Sequence, residues 1–214
     1  MLKIYGGKLS SPVNKVCMTA NYIGIKYEFI QTSPRAGDTK KAEFLKINPV
    51  GKIPAIDDDG FYVFESGAIC RYLAQKHNSA LYPADLKKRA VVDEWSDFAV
   101  MHIATSVSKI LYNTVFYKFT GDSIDERSMA EGHKFLGRFL PLADAQLGKD
   151  NFFAGDKISL ADISLLTALD PAEVCSFNLS PYKNIVKWRN SLKKEDFYQK
   201  CYKEYGEELK QTAK

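Results

Sequence analysis

Two neighbouring stretches carry the residue types best suited to holding a charged ligand: Asn48-Pro49-Val50-Gly51-Lys52-Ile53-Pro54 and Phe64-Glu65-Ser66-Gly67-Ala68-Ile69. Between them lie a short strand through Ile53-Pro54-Ala55-Ile56, an Asp57-Asp58-Asp59-Gly60 turn and a second strand. Pro54 has no N–H to offer a ladder and so ill suits a central strand. Glu65 and Ser66 place an acid and a hydroxyl at a helix start, where the first N–H groups have no partner within the helix and favour anions. Taken alone, these residues describe no more than a hairpin followed by a capped helix. Other chemistries find less support. His77, His102 and His133 have no metal-ligand spacing with one another or with the cysteines, so no metal is expected. No C-x-x-C pair is present, which disfavours disulfide reduction, and Gly6-Gly7 is too little for a phosphate-cradling loop.

The elements that must position these residues alternate between strand and helix over the first third of the chain. Leu2-Lys3-Ile4-Tyr5 reads as a strand, and Ser11-Pro12 starts a helix with Ser11 as N-cap and Pro12 at the first helical position. Val16, Ala20 and Ile23 keep the helical stripe until Gly24 stops it, and Tyr27 to Gln31 forms the next strand, parallel to the first. A short helix over 38–47, an antiparallel hairpin around Asp59-Gly60 and a helix over 66–75 complete a βαβ-α-ββ-α order, a mixed α/β unit with helices packed on its sheet. Residues 77–87 are polar and read as a linker, dividing the chain into units 1–78 and 86–214.

The second unit shows helical spacing and no strand alternation. Val92, Trp95, Phe98, Ala99, Ile103, Val107, Ile110 and Leu111 mark one long helix over 89–117. Ser123 and Glu126 have capping-box spacing before a further helix that Pro141 is expected to bend. Ser159-Leu160-Ala161-Asp162, with Ile158 and Ile163 as a hydrophobic staple, is the strongest helix start in the chain, and its role is structural. Two more helices are expected over 182–192 and 197–209.

With 214 residues, 45% of them hydrophobic, the chain can build a sizeable core. A net charge of +4 is spread among interleaved Lys, Arg, Asp and Glu, so no phosphate-tracking stripe, and no nucleic-acid partner, is implied. No apolar run suits a bilayer crossing, and Met1 to Tyr5 enters a strand directly, with no sign of a secretion signal. Cys17, Cys70, Cys175 and Cys201 are scattered through helical contexts, which points to a reduced, cytoplasmic protein without a disulfide framework.

Asn48 to Ile56 followed by Phe64 to Leu73, extended by Tyr5 to Ser10 and Gly37 to Leu45, resembles the glutathione-binding half of cytosolic glutathione S-transferases, most closely the phi-type and theta-like or bacterial members. Phe153 to Asp162 is similar to that family's helix-capping segment, so the resemblance reaches both halves of the chain. It implies a thioredoxin-like N-terminal domain, an all-helical C-terminal domain, glutathione as co-substrate and a homodimer. A thiol of pKa near 8.5 is mostly protonated at neutral pH, so such an enzyme must favour the thiolate. A hydroxyl hydrogen bond of about 1.5–3 kcal/mol and a helix N-terminus worth about 0.3–1 kcal/mol would lower that value by about two units.

By position Ser10 matches the family's thiol-activating serine; Ser11 competes for the role, and Tyr5, in its strand, is a weaker alternative. The same resemblance assigns Glu65 to the γ-glutamyl amino group, Ser66 to the γ-glutamyl carboxylate, Ile53 before a cis Pro54 to the peptide, and Lys40 and Lys52 to the glycine carboxylate. There are departures: Thr39 stands where phi members often carry histidine, Lys52 where many carry glutamine, and Lys15 where an arginine is common. Pro12 and Ser10 stand where isomerase and thiol-transferring relatives carry cysteine. A site for a small hydrophobic electrophile is expected between the domains, with Leu9, His102, Ser106, Ile110 and Tyr117 as candidates, although the same helical spacing serves a core equally well. The expected activity is conjugation of glutathione to such electrophiles. The alternative is a non-catalytic module of the same shape that binds ligand or serves assembly.

Overall fold

The computed structural model describes residues 1–175, 177–202, 205, 206 and 209. Four strands, β1 (Leu2–Gly6), β2 (Tyr27–Gln31), β3 (Ala55–Asp58) and β4 (Phe61–Phe64), form one sheet in the order β2-β1-β3-β4. β1 and β2 run parallel, with Ile4 opposite Phe29; β3 is antiparallel to both β1 and β4. β3 is a central strand, and it begins at Ala55, just past Pro54, because a residue without an N–H cannot serve the ladder there. Asp59 and Gly60 both have positive φ, the conformation a two-residue hairpin turn demands.

Helix α1 (Ser11–Ile23) buries its face against α3 (Ser66–Lys76), and Gly24 closes it in the left-handed conformation with its N–H on the Ala20 carbonyl. The cap at the other end is Ser10, not Ser11. Any first-turn N–H lacks an intrahelical partner, so a proline marks the first turn without fixing its own place in it. The segment expected as one helix over 38–47 splits into a 3-10 turn, Asp38–Lys40, and a short α2 (Ala42–Ile47).

Beyond residue 85 the elements are helical. Helices α4 (Leu86–Phe98), α5 (Thr105–Leu111) and α6 (Tyr117–Thr120) are joined without a break by two π-helical stretches, Ala99–Ala104 and Tyr112–Phe116. Helix α7 (Glu126–Lys149) runs through Pro141, and its N-cap is Asp125, whose side chain accepts from the Ser128 N–H at 2.9 Å. Asp caps as well as Ser and offers the same three-residue reach, so the Ser123 signal was displaced by a better-placed competitor. Helix α8 (Leu160–Leu169) is mostly apolar and buried along its whole length. Its capping box forms: Ser159 Oγ accepts from the Ala161 N–H at 3.2 Å and Asp162 Oδ2 accepts from the Ser159 N–H at 2.9 Å. Helices α9 (Lys183–Leu192) and α10 (Asp196–Gln199) follow; part of the helix expected over 197–209 lies outside the described residues.

One continuous core joins the sheet side to the helices, with α1 packed on α8 and α10. The segment between α3 and α4 is tied into it: Leu81 is fully buried and its carbonyl accepts from the Leu160 N–H at 3.0 Å. No described helix is long and apolar enough to cross a membrane.

Candidate active site

A cleft of about 1060 Å³ opens between the N-terminal end of α1 and the long helix. Its near wall is the β1–α1 loop, Gly7 to Pro12, which Gly6 brings close to the helix: a Cβ on Gly6 would lie 2.5 Å from both γ carbons of Val13. Ser10 has extended backbone, takes the N-cap position and makes no side-chain capping bond. Its hydroxyl is therefore not spent on the helix, and it stands in the cavity lining beside the unpaired first-turn N–H groups of α1.

Ser66, the first residue of α3, lines the same cavity, so two helix N-termini converge there. Glu65 ahead of it is exposed and held at φ 67°, a conformation that costs a non-glycine residue about 1–3 kcal/mol. Ile53 joins the lining, and the Ile53–Pro54 peptide is cis with Pro54 buried behind it. The loop leading there is built around Asn48, which is 2% exposed. Its Nδ2 donates to the Lys52 carbonyl at 2.6 Å, and its Oδ1 accepts from the Val50 N–H at 3.0 Å. Lys40 and Lys52 are exposed and stand outside the lining. Tyr5 is also outside: it packs edge-on to Phe44 at 6.2 Å, and burial pushes its hydroxyl pKa up.

The far wall comes from every fourth residue of the long helix: Val100, Ala104, Ser108, Tyr112, Phe116 and Thr120, with Val107 and Leu111 between. In an ideal α-helix a four-residue step drifts by about 40°. The two wider π-helical stretches absorb that drift and keep the row aimed at the cleft. Of the electrophile-site candidates, only Leu9 is on the lining. His102, Ser106 and Ile110 belong to the face that meets α7. The His102 ring stacks on Phe139 at 4.5 Å, Ser106 donates to the His102 carbonyl at 2.6 Å, and Ile110 is fully buried opposite Gly132. Tyr117 is half-buried off the lining, with Lys118 Nζ 6.0 Å from its ring centre. The spacing rule found the helix but could not tell its two apolar faces apart.

The floor is α8 through Ser164, Thr167 and Ala168, continued by Pro171 and by Tyr205 and Leu209 near the C-terminus. Tyr205 donates from its hydroxyl to the Leu9 carbonyl at 3.2 Å and also reaches the Ser11 side chain. Asp170, fully buried, anchors this region: it accepts from Arg189 at 2.8 Å, from Tyr198 at 3.0 Å and from Tyr202. Glu173 accepts from Arg189, from Lys193 and from the Gly206 N–H. Burial pushes the Asp170 carboxyl up to about 6 despite its guanidinium partner.

Among the described residues, the charged side chains on the lining are cations, Lys8, Lys15 and Arg35. All four cysteines are free, and burial raises each thiol, Cys17 and Cys175 to about 12, so no protein thiol is poised as a nucleophile. Among the described residues no three His, Cys, Asp or Glu side chains gather as a metal set. Lys15, Asn48 and Tyr205 were not assigned site roles from the sequence, although Asn48 opens one of the two stretches singled out there and Lys15 departs from the family pattern.

The fold agrees with comparisons to known proteins. Residues 1–75 match the family model described as glutathione S-transferase, N-terminal domain, and residues 100–196 the one described as glutathione S-transferase, C-terminal domain. Glutathione S-transferase F13 of Arabidopsis thaliana is 31% identical over 166 residues, covering 76% of each chain. The chain belongs to the glutathione S-transferase family. Its fold is that of glutathione transferase F2 from Populus trichocarpa, at a TM-score of 0.88 and 26% identity over 94% of this chain and 97% of that one. A glutathione S-transferase-I solved with lactoylglutathione superposes at a TM-score of 0.86 and 27% identity, over 94% and 97% of the two chains. This transferase thus joins a thioredoxin-like unit to a helical one, and glutathione is its co-substrate.

Proposed function

We propose that this glutathione transferase joins the thiolate of glutathione to small hydrophobic electrophiles, with the Ser10 hydroxyl holding the sulfur anion. The observation that carries the reading is the Ser10 side chain: it is free of capping, sits at the N-terminus of α1 and faces a mostly apolar wall across the cleft. Sulfur placed there would receive a hydrogen bond and the positive end of the helix together. Attack then forms the carbon–sulfur bond and expels the leaving group, with proximity in the cleft supplying much of the acceleration. In this reading Ser66 and Glu65 take the γ-glutamyl end, Ile53 and Pro54 the peptide, and Lys40 and Lys52 the glycine carboxylate. Leu9 is the electrophile-site candidate that the lining supports.

The reading extends to a serine-type member of the phi or theta-like kind, divided into units 1–78 and 86–214, working as a cytoplasmic homodimer. Val50 and Phe61 are 52% and 55% exposed, apolar surface that a second copy would cover. Light scattering on the purified protein reads the oligomeric state. Conjugation of a chlorinated nitrobenzene tests the chemistry: Ser10→Ala should lower kcat/KM by about 10- to 100-fold, the worth of one hydrogen bond to an anion. Undiminished turnover would remove Ser10 from its role, and retention on immobilised glutathione without any turnover would favour a binding module.

A further inference from the structure

Gly6 and Gln31 are the paired last residues of β1 and β2, so the two loops that follow leave the sheet side by side. Each makes a tight turn with a cation at its bend. In the first, the Ser10 N–H donates to the Gly7 carbonyl at 3.0 Å around Lys8 and Leu9, and the Leu9 carbonyl is held by Tyr205. In the second, the Gly37 N–H donates to the Pro34 carbonyl and the Asp38 N–H to the Ser33 carbonyl, both at 3.1 Å, around Arg35 and Ala36. Lys8 and Arg35 are exposed, and both line the cleft, each beside an apolar neighbour on the same lining, Leu9 and Pro34. No described acidic side chain shares that lining, and Asp38, which closes the second turn, is taken by the Ser33 N–H at 2.9 Å and by Lys41 at 2.7 Å. Val107, Leu111 and Phe116 supply apolar wall, and apolar walls focus the field of the charges that line a cleft. Lys40 and Lys52, which the conjugation reading gives to the glycine carboxylate, stand outside this lining, so the two turn cations are left to meet another anion.

We propose that the electrophile taken by this transferase carries a carboxylate of its own on an apolar body, and that Lys8 and Arg35 receive that carboxylate. The inference deepens the conjugation reading and rests on it. The apolar body lies between Leu9 and the long-helix wall, and the sulfur at Ser10 is only two residues along the chain from Lys8. With an aryl chloride, the thiolate sulfur bonds to the ring carbon that bears chlorine, the carbon–chlorine bond breaks, and chloride leaves with the electron pair. The thiol proton has gone to solvent beforehand, and the carboxylate keeps its charge throughout. Lys8 and Arg35 bind and orient; neither moves a proton.

The test compares a chlorodinitrobenzoate with its uncharged primary amide, two compounds that share one reacting ring. In Lys8→Gln or Arg35→Gln the ratio of kcat/KM for the acid to that for the amide should fall about threefold, and in the double variant about tenfold. Added salt should shrink the wild-type ratio and affect that of the double variant less. An acid-to-amide ratio that is the same in wild type and double variant overturns the inference, as does a wild type that conjugates the amide and refuses the acid. So does a double variant that slows both compounds alike with a raised KM for glutathione, because that puts the two cations on the glycine carboxylate. Wild-type protein that turns over neither compound brings down the conjugation reading itself.

Discussion

Asn48 illustrates how much of the site depends on residues that never face it. Its side chain satisfies the Lys52 carbonyl and the Val50 N–H, and thereby fixes the loop that delivers Ile53 to the cleft. Asn48→Ala leaves both groups without partners, at about 1–3 kcal/mol each when they stay dry. The expected outcome is a lower melting temperature and a KM for glutathione raised several-fold, with kcat much less affected; steady-state kinetics with calorimetry reads both. Tyr205 is the second such residue. Tyr205→Phe keeps the packing and removes the bond to the Leu9 carbonyl, a loss of about 1 kcal/mol. If that bond holds the loop bearing Ser10, kcat/KM falls a few-fold; an unchanged value would show that the loop stands without it. Neither side chain could be picked from the sequence, since an asparagine in a turn and a tyrosine near a terminus have many ordinary uses. The helix start at Ser66 was legible from the apolar run that follows it, although Glu65, its N-cap, makes no side-chain capping bond.

The elements were legible where punctuation fixes them. Pro12, Gly24 and Asp59-Gly60 mark the ends of α1 and the hairpin by backbone rules that no packing overrides. The capping box at Ser159 and Asp162 was readable for the same reason. What the pattern could not show was the direction in which the long helix faces. Its two apolar rows satisfy one spacing rule, and the π-helical stretches that aim Val100 to Thr120 at the cleft leave no local signature. The opposite row makes a close helix contact: a Cβ on Gly132 would fall 2.8 Å from the Ser106 carbonyl oxygen and 2.9 Å from Ile110 Cγ1. Gly132→Ala must therefore push α7 away from α5 and is expected to destabilise by about 1–3 kcal/mol. Urea unfolding measures it, and a neutral result would mean that the two helices separate freely.

At the scale of the whole molecule, the buried Asp170 couples the helical floor to pH. Its carboxyl is pushed up to about 6 in the folded protein from an ordinary value of 3.8. The folded state therefore holds that proton more tightly than the unfolded chain, and the contribution of Asp170 to stability is full below pH 4 and lost as pH rises through about 6. Unfolding free energies of the wild type and Asp170→Asn, compared at intervals across that window, should show the wild-type advantage shrinking with pH; a difference that stays constant or grows would contradict the raised carboxyl. A different consequence follows from the row of every fourth residue along the cleft. Point changes at Ala104 or Ser108 alter only local bulk, but removing a single residue from the 112–116 stretch turns everything after it by about 100°. Thr120 would then swing off the wall. In this helix, pocket size is open to variation by substitution, whereas chain length is not.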